Sequence, residues 1–213
     1  HTRNPADCYK SSASEKRSER HLLKRNHSVH IHPITTPQPS SKGRDDMTTT
    51  TLRTAATILT AGAFATIAFD VFGQALSPLF GYAKLAPVGL AGASIKAIFG
   101  ANPSGAAYLL HALTGLIFYA VGYFAIARPI QRAVLPNLHW SLTAIAYGVG
   151  LWVFALYVMA HLGTGNKPFL GFTGITWVAL WGHIVYALVA AGIMEAKGAV
   201  LNIRGTPVAM PAE

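Results

Sequence analysis

Charge is scarce in this sequence, and negative charge is nearly missing from its apolar part. Charged residues make up 12% of the 213 residues and hydrophobic ones 52%, whereas a water-soluble domain carries about 25% charged residues. Between Met47 and Met194 the one acidic residue is Asp70. The net charge of +9 owes much to the first 46 residues, which hold nine of the 17 Lys and Arg residues, so it is no signature of nucleic-acid binding. A single cysteine, Cys8, excludes a disulfide within the chain and leaves the redox compartment open. Also missing are a GxxxxGK[ST] phosphate loop, a GxSxG elbow, HExxH and CxxC spacings, and histidines paired at i, i+4. Asn102-Pro103-Ser104 carries proline where a glycosylation acceptor forbids it. Ser94, Thr114 and Thr164 have no evident base beside them, so a protein without enzymatic activity is the better expectation.

Residues 1–46 are polar, mixed in charge and rich in Ser, Pro and His. No apolar face there is long enough to bury, so disorder is expected, and no apolar stretch marks a signal peptide. Met47 precedes the first apolar run and reads as the biological start, with 1–46 as upstream sequence. On this reading His27, His30 and His32 belong to a leader and form no metal motif. One domain then runs over 47–197, and 198–213 form a short flexible tail.

Four windows reach the roughly 20 apolar residues that a membrane-crossing helix needs: 52–76, 105–127, 138–162 and 172–195. Pro78, Pro87 and Pro103 punctuate the first loop, Pro129 and Pro136 the second, and Gly163, Gly165 and Pro168 the third. The fold class is therefore an all-α membrane protein, a four-transmembrane-helix bundle whose partner is the lipid bilayer. With the N-terminus inside, Arg53, Arg128, Arg132, Lys197 and Arg204 fall on the inner side and Lys84, Lys96 and Lys167 outside. The positive-inside rule then favours both termini in the cytoplasm of a bacterial inner membrane. Small residues at helical spacing, among them Gly115, Gly122, Gly148, Gly150 and Ala187, let helices approach closely. The apolar stretch LAPVGLAGASIKAIFG in the first loop fits either a short helix at the outer interface or a loop packed on the bundle. Association into a homo-oligomer or a larger membrane complex stays open.

Ionisable side chains in hydrocarbon cost roughly 2.5–3.5 kcal/mol at the centre of a helix and usually face the protein interior. Four qualify: Asp70, His111, His161 and His183, one per span and all in the outer half. A bundle can gather such groups around its axis. Three histidines and a carboxylate match a transition-metal ligand set. The same groups suit proton or ion handling, since imidazole titrates near neutral pH. His111 and His183, on helices running the same way, suit haem, although their depths differ by roughly 7–8 Å. The plain structural alternative is that Asp70 pairs with one histidine and only ties the bundle together. A weak internal repeat is also visible. Asp70 precedes Pro78-Leu79-Phe80-Gly81 much as His161 precedes Pro168-Phe169-Leu170-Gly171, and His111 and His183 each precede a small residue by four positions. The bundle is then two repeated helical hairpins.

A helix with Asp70 and a following Pro78, then His111-x3-Gly115, then Gly182-His183-x2-Tyr186, resembles the YagU-like small bacterial inner-membrane proteins over about residues 50–195. The resemblance implies a four-helix inner-membrane protein, with some link to acid tolerance, and names no substrate or cofactor. The long first loop and the leader depart from that pattern.

Overall fold

The computed structural model describes residues 41–199, with side chains from 49 onward. The leader up to residue 40, with Cys8 and His27, His30 and His32, lies outside the described residues, as does the tail beyond Ala199. All regular structure among the described residues is helical.

The first helix, α1, covers Ser41–Val71 and continues through a π-helical turn, Phe72–Leu76, and a last turn, Ser77–Leu79. It thus begins six residues before Met47. A short helix, α2, covers Pro87–Phe99. The remaining spans are α3 (Ala106–Val134), α4 (Trp140–Gly163) and α5 (Gly174–Ala196). Together with Thr49–Leu79 of α1, these make four helices long and apolar enough to cross a membrane, and each overlaps one of the four windows read from the sequence. Large apolar side chains such as Phe64, Ile67, Phe118 and Trp181 stand exposed on the outside of the bundle, where lipid is the natural solvent.

Local chemistry explains the boundaries. Pro87 sits in the first turn of α2, where its missing N–H costs nothing. Gly100 closes that helix at φ 76° and donates its N–H to Lys96 O at 2.9 Å, the left-handed cap that glycine adopts without strain. His139 caps α4, its Nδ1 accepting from the Ser141 N–H at 3.3 Å. The π-helical turn at the end of α1 has a local cause as well. A π turn breaks the i→i−4 ladder, and here Gly73 O accepts the Leu85 N–H at 2.9 Å. The first loop is thereby folded back onto the helix, and Leu85 fills the space that a side chain at 73 would occupy. The α2 stretch is thus a true helix, and it packs on the bundle through buried Gly92, Ser94 and Ile95, which joins the two expectations for this loop. The α4–α5 connection turns through left-handed backbone at Phe169, Leu170, Gly171 and Phe172.

Helix α5 is the most enclosed, with 56% of its apolar window buried against 17% for α3. Two apolar clusters fill the bundle. One, at the end where α1 finishes, is built on Phe69, Leu85, Leu156 and Tyr186. The other, toward the end where α1 starts, is built on Ile58, Tyr123, Ala187 and Met194. Gly148 lets α4 lie against α5, since a methyl there would come within 2.8 Å of His183 O and Ile184 Cα. Gly150 faces open space, so of the two glycines read as packing signals in this span only Gly148 acts as one.

Candidate functional site

The pairing of α1 with α3 is set by small residues. A methyl on Gly62 would overlap the Leu116 carbonyl, and one on Gly115 would overlap the Thr66 hydroxyl. Residues 62, 66 and 70 are successive turns of α1, and they meet 116, 115 and 111 in descending order on α3. That antiparallel register carries Asp70 to His111. His111 Nε2 lies 3.1 Å from Asp70 Oδ1 and 3.2 Å from Oδ2, so its N–H is shared between the two oxygens. Gln74, one turn on, donates from Nε2 to Oδ1 at 2.8 Å. The side chains are 18% exposed for His111 and 32% for Asp70, which leaves the pair approachable. Gln74 was not among the residues expected at the site.

His183 stands nearby but does not join the pair. Its Nδ1–H donates to Ala179 O on its own helix at 2.7 Å. Its ring packs edge-on against Phe69 with centroids 5.0 Å apart, and Phe69 also touches His111 with centroids 6.3 Å apart. His161 is elsewhere in its bonding: its Nδ1 meets Asn166 O at 2.7 Å, so it closes the end of its own helix. The counterparts proposed for the internal repeat therefore differ in what they do, since Asp70 bonds across helices while His161 bonds to the following loop. Both α1 and α4 do carry a π-helical stretch just ahead of the proline of their Pro-x-x-Gly segments.

Among the described residues no group of three or more His, Cys, Asp or Glu side chains is placed to hold a metal ion. The donor set for a transition metal is thus dispersed by the hydrogen bonds above. Haem does not fit either. His183 is turned onto its own helix, His111 is engaged by Asp70, and the cavity between them measures about 190 Å³, below the roughly 300–1,000 Å³ of ordinary ligand pockets. That cavity is lined by Phe69, Leu90, His111, Tyr119, Leu156, His183 and Tyr186, among others. Tyr186 in turn donates its hydroxyl to Gly115 O, so Gly115, Tyr186, His111 and His183 all border one space.

A second polar cluster lies toward the other end of α3, 17 residues or about 25 Å from His111 along the helix axis. Arg128 donates from Nε to Glu195 Oε1 at 2.6 Å and from Nη2 to Oε2 at 3.0 Å, and Nη1 meets Gln131 Oε1. This forked pair ties α3 to α5. In sequence both residues look like ordinary charges at the ends of spans, and nothing marks them as partners.

No family model matches the chain, and no curated protein or solved structure shows significant similarity to it.

Proposed function

We propose that this integral membrane protein is a multi-pass protein of a bacterial inner membrane, with both termini on the cytoplasmic side, that takes up and passes protons at Asp70 and His111. The observation that carries the reading is their contact: a carboxylate and an imidazole 3.1 Å apart on neighbouring spans, both partly exposed. Two groups of this kind exchange a proton by a short movement along one hydrogen bond, and imidazole is the side chain that changes charge near neutral pH. Ionisable groups retained in membrane spans commonly mark such relays. The excess of loop cations at the Arg128 end supports an outer-half position for the pair. The resemblance to YagU-like proteins, with their link to acid tolerance, points the same way. The dispersal of the histidines supports a metal or haem role less.

The test is a proton flux measurement in liposomes holding the purified protein and an entrapped pH-sensitive dye, under an imposed pH gradient. Asp70→Asn keeps the shape and the Gln74 contact and is expected to remove the protein-dependent flux while the protein stays folded. A folded Asp70→Asn protein with unchanged flux would refute the proposal.

A further inference from the structure

Besides the Asp70–His111 pair, the cavity beside it has a chemistry of its own. Its walls are mainly apolar and aromatic, with Phe69, Tyr119, Phe154 and Tyr186 around the space. Its volume of about 190 Å³ is the size class of a single ring, since an apolar cavity of roughly 150 Å³ holds benzene. The more enclosed of the two imidazoles in this lining is that of His183. His183 is 5% exposed, and its Nδ1–H is committed to Ala179 O. In a neutral imidazole the other nitrogen, Nε2, is then an acceptor, and it makes no hydrogen bond with any described residue. Nε2 is not among the fully enclosed side-chain polar atoms that lack a partner, which among the described residues are Tyr123 Oη and Thr143 Oγ1, so it keeps some accessible surface. Nδ1 is turned back onto α5, and His183 is among the residues that line the cavity. Three hydroxyls on the wall are spent: Thr66, Ser94 and Thr114 each donate to a carbonyl one turn back on their own helix. The Tyr119 hydroxyl, also in the lining, makes no hydrogen bond with a described residue.

We propose that this cavity binds a small single-ring aromatic molecule bearing a hydroxyl, whose O–H donates to His183 Nε2 while the ring packs against Phe69 and Tyr119. A buried acceptor without a donor costs free energy that a ligand hydroxyl recovers, and the aromatic lining supplies edge-to-face partners for the ring. The proposal stands on the cavity and His183 and does not depend on proton passage at Asp70.

Fluorine NMR of the full chain in lipid nanodiscs provides the test, with empty nanodiscs of the same lipid as the baseline for partitioning. The probes are 4-fluorophenol and 4-fluoroanisole, which share a ring and differ in the donor hydrogen. The phenol is expected to show a protein-bound signal and to bind at least about tenfold more tightly than the anisole. His183→Leu is expected to bring that preference below about threefold. Ala91→Phe fills the cavity from α2, the helix outside the four spans, and is expected to abolish binding of both. Equal binding of the two probes, no bound signal for either, or a preference that survives Ala91→Phe would each overturn the proposal. If His183→Leu does not fold, the wild-type ratio and Ala91→Phe still decide.

Discussion

The Arg128–Glu195 pair offers the sharpest test of the packing. The two side chains are 10% and 15% exposed and joined by hydrogen bonds of 2.6 and 3.0 Å. Glu195→Gln keeps the size and one acceptor but leaves the guanidinium charge without its counter-charge in a poorly hydrated place. Breaking a buried pair from one side costs about 3–5 kcal/mol. Glu195 is one residue from the end of α5, where water is within reach, so the lower figure of about 3 kcal/mol is expected. Arg128→Met leaves a carboxylate that can take up a proton, and its cost is expected to be smaller, about 2 kcal/mol. The double variant Arg128→Met/Glu195→Gln removes both charges and is expected to cost no more than about 2 kcal/mol, because neither charge is left buried alone. The singles and the double form a cycle with a coupling energy of at least about 2 kcal/mol. Unfolding by SDS in mixed micelles, followed through tryptophan fluorescence, measures all four proteins. A Glu195→Gln protein as stable as the natural one, with additive effects in the double variant, would refute the reasoning.

Gly148→Val places methyl groups against His183 O and Ile184 Cα, where a single Cβ already comes within 2.8 Å. Backbone cannot yield as a side chain can, so the same unfolding assay should show a loss at the upper end of the roughly 1–3 kcal/mol typical of overpacking. His161→Ala removes a bond to the exposed loop at Asn166 and should cost less than about 1 kcal/mol. It should leave proton flux in liposomes within about twofold of the natural protein, because a group outside the pair has no step to supply; loss of flux would return His161 to the site.

Much of the architecture was legible because lipid imposes one strong rule: about 20 apolar residues per crossing. The four spans and the breaks at Pro87 and Pro136 follow from it. Asp70 was legible for the same reason, since a carboxylate in an apolar run has a cost that demands an explanation. Its partner was not. Three histidines had suitable depths, and the choice of His111 depends on helix register, which Gly62 and Gly115 set by touching Leu116 and Thr66. No sequence period encodes such contacts. Gln74 escaped notice because a neutral amide in a membrane helix is a weaker signal than a charge. Arg128 and Glu195 escaped because charges at span ends normally meet headgroups, and only the folded chain shows that one fork joins them. The π-helical turns in α1, α3 and α4 likewise have no reading in composition or periodicity.

The central claim is that Asp70 and His111 act as one proton-passing unit through the hydrogen bond that joins them. Infrared difference spectra of the membrane-embedded protein, with isotope-labelled aspartate and histidine and with the Asp70→Asn and His111→Gln variants to assign bands, read both groups directly. A carboxyl band of Asp70 and a ring band of His111 should each be altered when the other residue is replaced. A His111 band indifferent to Asp70→Asn, together with an Asp70 band indifferent to His111→Gln, would contradict the claim.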